Sequence, residues 1–430
     1  MTAMRFLFLV FILFAVQTAF SDTIIRFSEA KPPYLTVGPT IAKLEYADNS
    51  ILNDDVNKLW IDGERNGFPL IESDPLYDDY VYVTFIYRSS ETNIDVKLFI
   101  PGIYDENRFG DLKMYRLGNT DLYFRCYLLP NDVCLSYRFD VKSNKTGKTV
   151  KYLDEFNRNR IPKGERREYS YSVLDLSRNN IDWNEKRHTN TGSVVDTFKF
   201  TAKSLNNTRD VYVYLPPGYD KSQINVYPVI WLFDAFVYMN RVEVPVVLDN
   251  LIAERKIKPV VAVMIDNPTS TSRYTEYPLN FEFRNAFVSE FVPFIRDKYK
   301  ISVNPNENII GGMSYGGLNA AFTAFYRPDI FGKVLSQSGS FWRDLNLKDT
   351  NNNEIRNDWL IRQFRSNEKR NLKIFLDWGL QENMVLGSNR TFVKILAEKG
   401  YDFKFVEFNG WHNWANTRRT FPVGLMFLME

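Results

Sequence analysis

The sequence predicts an α/β fold with a mostly parallel sheet, preceded by an all-β domain of the immunoglobulin-like sandwich type. Three observations predict it. The chain has 430 residues, enough for two domains. Its apolar pattern changes from period-two alternation to short apolar runs separated by amphipathic stretches past about residue 195. A Gly-x-Ser-x-Gly pattern, Gly312 to Gly316 around Ser314, joins one such run to a helical stretch.

Composition narrows the function classes. Apolar residues reach 44% and charged residues 25%, which supports a sizeable core and excludes a disordered chain. Lysine and arginine total 54 against 52 acidic residues, a net charge of +2 that argues against a general nucleic-acid binder. There are only two histidines, His188 and His412, so a mechanism built on a histidine base has two candidates.

Residues 1–21 read as a signal peptide: Arg5, an apolar run from Phe6 to Val16, then Ala19 and Ser21 before the cut. The run is shorter than the roughly 20 residues that span a bilayer, so no stable membrane anchor is expected after cleavage. The expected location is secreted or periplasmic.

Residues 22–145 are expected to form the sandwich. Tyr80–Tyr87 and Ile94–Ile100 alternate polar and apolar residues, as half-buried strands do. Cys126 and Cys134 flank Pro130 symmetrically, which predicts a hairpin closed by a cross-strand disulfide. Residues 146–190, rich in Lys, Arg, Asn and Asp, read as an exposed linker. Residues 191–430 carry the expected strands Asp210–Leu215, Pro228–Phe233, Val260–Ile265, Ile309–Gly311, Lys333–Gln337, Lys373–Asp377 and Phe403–Phe408. Helical patterns at Val244–Ile257, Phe283–Tyr299, Leu318–Tyr326 and Asn389–Glu398 fall between them, which implies a parallel sheet covered on both faces.

The Ser314 pattern fits a strand–elbow–helix turn, where side chains flanking the serine would clash and glycine avoids the clash. A serine hydroxyl needs a neighbouring base. His412 follows the last expected strand, where an α/β-hydrolase carries that base; His188 lies in a charged segment and reads as a solvated side chain. The acid should fall between them, and Glu382 follows the strand that ends near Trp378. Asp377 competes from within the strand, and Asp402 sits at the wrong end. The expected oxyanion donors are the backbone N–H of Tyr315 and one from Ala235 or Phe236.

These residues resemble the enterochelin (ferric enterobactin) esterase family of the α/β-hydrolase superfamily. The resemblance rests on Leu232-Phe-Asp-Ala235, Arg273-Tyr-Thr-Glu276 through Asn280, Ser336-Gln-Ser-Gly-Ser-Phe-Trp342 and Gly410-Trp-His412 through Arg418. In the first half Trp60, Gly67–Glu72, Val83–Arg88, Arg116–Asp121 and Tyr137–Phe139 fit the family's amino-terminal domain. The resemblance implies hydrolysis of the serine trilactone of a catecholate siderophore by Ser314, His412 and Glu382. It implies no resident cofactor, and iron enters only as part of the substrate. Arg273, Trp342, Arg343 and Arg418 are implied substrate contacts, with Arg419 nearby, although Tyr315 and Trp342 could be core and Arg273 could pair with Glu276. Ala235, Arg343, Asn413 and Thr417 depart from the family pattern. The last three alter the expected substrate wall, which keeps open an esterase acting on a cell-wall or polysaccharide acyl group. An inactive binding protein is a third reading, opposed by the intact serine, histidine and acid.

Overall fold

A computed structural model of the chain describes residues 25–430, apart from 49, 75, 77, 104–111, 163–169, 178–180, 186, 189–190, 223–225 and 346–357. The expected signal peptide lies outside the described residues.

The amino-terminal half contains β1 (Tyr34–Thr36), β2 (Leu70–Ser73), β3 (Tyr80–Arg88), β4 (Ile94–Phe99), β5 (Tyr115–Arg116), β6 (Leu122–Pro130), β7 (Cys134–Ser143), β8 (Thr149–Tyr152), β9 (Arg160–Ile161) and β10 (Tyr171–Asp175). They form two antiparallel sheets, β1-β6-β3-β2 with β5 on β6, and β4-β7-β10-β9 with β8 on β7. Period-two alternation sets the buried face: in β4, Ile94, Val96 and Leu98 are buried while Asp95 and Lys97 are exposed. These residues share a core with Val83, Phe85, Tyr127, Leu135 and Tyr137, each large apolar side chain contributing roughly 1.5–3 kcal/mol on burial.

Three expectations are corrected here. The domain is not all-β, because helices run from Pro39 to Glu45 and from Leu52 to Asn66. The second buries Leu52, Val56, Leu59 and Trp60 on one face and stops at Gly67, whose φ of 82° suits glycine. Trp60 Nε1 donates to Asp121, and the Arg88 guanidinium lies 5.1 Å from the Trp60 ring centroid. Residues 146–190 are not simply a linker, since β8, β9 and β10 belong to the second sheet.

The disulfide is absent as well. Cys126 and Cys134 are both free and buried. The turn after Pro130 carries the chain from one sheet to the other, so β6 and β7 do not pair as a hairpin. Cys126 stands opposite Thr84 and Thr36, and Cys134 opposite Asp175. Burial pushes the Cys126 thiol up to about 11 and the Cys134 thiol up to about 12.

The second half is one eight-stranded sheet: β11 (Val194–Ala202), β12 (Asn207–Leu215), β13 (Val229–Phe233), β14 (Val261–Ile265), β15 (Asn308–Met313), β16 (Lys333–Gln337), β17 (Lys373–Gly379) and β18 (Asp402–Phe408). The order is β11-β12-β14-β13-β15-β16-β17-β18; β12 pairs antiparallel with both β11 and β14, and the other pairs are parallel. Central strands β13 and β14 are buried at every position, as strands covered on both faces must be. Helical segments Phe281–Lys298, Tyr315–Tyr326, Trp359–Ser366 and Asn383–Glu398 share one core with the sheet, and Val244–Ala253 and Trp414–Met429 share the other. Among the described residues no helix is long and apolar enough to cross a membrane.

Candidate active site

The ends of the parallel strands position the site, as in open α/β sheets generally. Strand β15 ends at Met313 and leads into Ser314, whose φ of 60° and ψ of −119° mark a sharp elbow before the helix Tyr315–Tyr326. Glycine is required around it. A Cβ on Gly312 would come 2.6 Å from the Gly316 carbonyl carbon, and one on Gly317 would come 2.7 Å from Ser336 Oγ. Ser314 N–H donates to the Gln337 carbonyl at 2.8 Å, and its Oγ lies 3.2 Å from Ser340 Oγ.

Past β17 and β18, Glu382 and His412 meet. Glu382 Oε2 is 2.5 Å from His412 Nδ1, while Oε1 accepts from Ser338 Oγ at 2.8 Å and from Gly379 N–H at 2.7 Å. These donors fix the carboxylate and leave one oxygen for the imidazole. Asp377 does not take this place. It is buried within β17, accepts from Gln337 Nε2 and Ser338 N–H, and burial pushes its carboxyl up to about 7. His188 is far more exposed and lies 4.0 Å from Glu254, as a solvated side chain would.

After β13 the chain turns through Asp234 in a left-handed conformation, φ 62°, into a short helix that begins at Ala235. Phe236 N–H donates to Asp266 at 2.9 Å, which removes it as an oxyanion donor. Ala235 N–H belongs to the first helical turn, where no intrahelical carbonyl can reach.

Arg273 is not a free substrate contact. Its Nε and Nη2 hold Asp234 in a bidentate pair at 2.6 and 2.7 Å, and Glu276 instead pairs with Arg209 at 2.7 Å. Asp234 in turn borders the elbow, since a Cβ on Gly316 would come 3.3 Å from its Oδ2. Sequence reasoning missed this clamp, although both residues lie in the motifs that carried the resemblance.

Arg418 is corrected more sharply. Its side chain is 8% exposed and pairs with Glu243, so it cannot meet a substrate. Arg419 lies 3.9 Å from Asp175 of the amino-terminal half. Asn413 is buried as the N-cap of the last helix, accepting from Ala415 N–H, and Thr417 donates to Met313 Sδ. Neither forms a substrate wall. That leaves Trp342 and Arg343 beside Tyr315: the Trp342 ring lies 6.2 Å from the Tyr315 ring, and the Arg343 guanidinium lies 5.9 Å from it. Tyr274, mostly exposed, also packs edge-on against Tyr315. Among the described residues no group of three or more His, Cys, Asp or Glu could hold a metal ion.

The sheet order and the serine elbow define an α/β-hydrolase. A family model described as "Putative esterase" matches residues 202–428, just over half the chain. The chain belongs to this esterase family, and within the superfamily its relatives are the enterochelin (ferric enterobactin) esterases. It is 26% identical over 231 residues to an iron(III) enterobactin esterase of Escherichia coli O6:H1, covering 53% of this chain and 56% of that protein. It is 25% identical over 301 residues to an iron(III) salmochelin esterase of the same organism, covering 66% and 71%. The chain thus spans little more than half the length of the first of these relatives. The ferric enterobactin esterase of Salmonella typhimurium has a similar fold, with a TM-score of 0.70 at 22% identity over 84% of this chain and 95% of that one.

Proposed function

We propose that this chain is a serine esterase that hydrolyses the trilactone ester bonds of a catecholate siderophore and so frees its iron. The observation that carries the reading is the Glu382–His412 pair, fixed by Ser338 and Gly379, at the same end of the sheet as the strained Ser314 elbow. The names of the relatives, enterobactin and salmochelin esterases, support the substrate class. The aromatic and cationic group of Tyr274, Tyr315, Trp342 and Arg343 suits the rings and negative charge of a ferric catecholate.

In this reading Ser314 Oγ attacks the ester carbonyl carbon as His412 Nε2 takes its proton. Glu382 accepts the Nδ1–H bond and stabilises the imidazolium. The backbone N–H groups of Tyr315 and Ala235 receive the negative charge that develops on the carbonyl oxygen. The proton then passes from His412 to the departing alkoxide, leaving an acyl group on Ser314. Water, activated by His412, releases the acid and restores the serine. We assign residues 25–175, which take in β8, β9 and β10, to an amino-terminal domain and residues 191–430 to a catalytic domain. The leader pattern at residues 1–21 supports work outside the cytoplasm.

Hydrolysis of ferric and iron-free enterobactin, followed beside fluorophosphonate labelling, tests the reading. Wild type should cleave and label, and Ser314→Ala should lose both, with turnover down by about 10⁴-fold or more. Turnover of simple acyl esters without cleavage of either form of enterobactin would leave an esterase with another substrate. Labelling that survives Ser314→Ala would remove the serine from its role.

A further inference from the structure

We propose that the amino-terminal sheets are the positioning element for His412, acting through Gly102 and Asp132. The proposal rests on His412 being the base of the esterase. The segment that carries it, Phe408 to Trp414, lies between the two halves and makes contacts to the amino-terminal half on several sides.

The turn from Ile100 to Ile103, directly after β4, presses against the histidine backbone. Gly102 has φ 86°, and a Cβ there would come 2.3 Å from the His412 carbonyl oxygen and 2.7 Å from its carbon. No side chain fits between them. The preceding residue, Trp411, is 4% exposed and lies in the core between the two amino-terminal sheets, with Leu98, Leu135 and Tyr137. Gly410 forms a parallel bridge with Cys134, the first residue of β7. Asn409 Nδ2 donates to both carboxylate oxygens of Asp132, at 2.8 and 3.0 Å, in the turn between β6 and β7. The partner loop is tied as well, since Gln381 Nε2, next to Glu382, donates to the Lys31 carbonyl at 2.7 Å.

The hydrolase half holds this segment as well, most directly through Glu382 Oε2 on His412 Nδ1. Leu380 N–H and Gln381 N–H reach the Phe408 and Gly410 carbonyls, and Asn416 Nδ2 reaches the Trp411 carbonyl. The backbone of His412 itself is bounded by Gly102. Proton transfer between Ser314 and the imidazole depends steeply on placement, and a shift of about 1 Å can cost on the order of 10²-fold.

The test uses the full chain with Gly102→Ala, Asp132→Ala and Asp132→Asn. It measures kcat and KM on an acyl ester, the rate of fluorophosphonate labelling, and the melting temperature. Gly102→Ala should lower kcat and labelling about 30- to 100-fold with KM within about twofold. Asp132→Ala should lower both about five- to tenfold, and Asp132→Asn should recover most of the loss because its amide oxygen still accepts from Asn409. Asp132 is exposed, so its variants decide the matter if Gly102→Ala does not fold. Labelling and kcat within twofold of wild type in Gly102→Ala and Asp132→Ala would overturn the proposal. So would a rise in KM at unchanged kcat, which would place these residues in substrate binding. A wild-type chain that never labels would instead overturn the esterase reading, and this proposal with it.

Discussion

The Ser314 elbow and the His412 loop are held in opposite ways. The elbow is a local structure: Gly312, Gly316 and Gly317 admit the turn, β15 leads into it and one helix follows. The histidine loop depends on the other half of the molecule, with Trp411 in the amino-terminal core and Gly102 against the histidine backbone. The contrast teaches that the Ser314 elbow is set by a few neighbouring residues, whereas the position of His412 depends on both halves of the chain.

The carboxylate that holds the His412 imidazole should carry the largest effect. Glu382→Gln should lower kcat by about 10⁴-fold with KM little changed, because the imidazole loses both its preferred tautomer and its counter-charge. Steady-state kinetics on an acyl ester checks this, and a loss below tenfold would separate Glu382 from the base. On the elbow side, Arg273→Ala should lower kcat by about 10²-fold, the scale of one oxyanion donor, by releasing Asp234 and the turn into Ala235. Arg273→Lys should not restore it, since an ammonium cannot reproduce the bidentate pair. Recovery by lysine would mean that charge alone matters there.

A smaller effect distinguishes the two halves by pH. Asp154, in the amino-terminal half, is pushed up to about 6 by burial, and Asp377, in the hydrolase sheet, up to about 7, from an ordinary value of 3.8. Above the ordinary value the unfolded chain has released these protons while the folded chain still holds them. Folding stability from these groups is therefore present at low pH and is lost as pH rises, up to about 6 for Asp154 and about 7 for Asp377. Melting temperatures between pH 4 and 8 should fall less steeply in Asp377→Asn than in wild type, with Asp154→Asn flattening only the lower part of the range. A slope unchanged in Asp377→Asn would place its titration outside that window.

Much of the hydrolase sheet was legible because its buried strands are short apolar runs, as in Ile230-Trp-Leu-Phe233 and Val261-Ala-Val-Met-Ile265. Chain order also placed Ser314 after β15, Glu382 after β17 and His412 after β18. The helix Leu52–Asn66 was missed although Leu52, Val56, Leu59, Trp60 and Gly63 repeat at helical spacing, a signal the sequence did contain. The disulfide misled because symmetric spacing about Pro130 is compatible with a hairpin and with an arch between sheets, and only long-range pairing decides. Arg418 misled for a related reason. Arg418, close to His412 in sequence, lies on a helix, and the face it occupies there turns toward Glu243. The Arg273–Asp234 pair was hidden because it joins the turn after β13 to a helix some forty residues further on, rather than lying in one motif.

The bond between Asp132 and Asn409 closes across 277 residues of sequence. Contacts of such separation form against a large chain-closure entropy and tend to come late in folding. Synthesis proceeds from the amino terminus, so the surface that receives the histidine loop is made first and waits for it. On the proposed reading, a nascent or half-folded chain would carry a formed Ser314 elbow before His412 is seated.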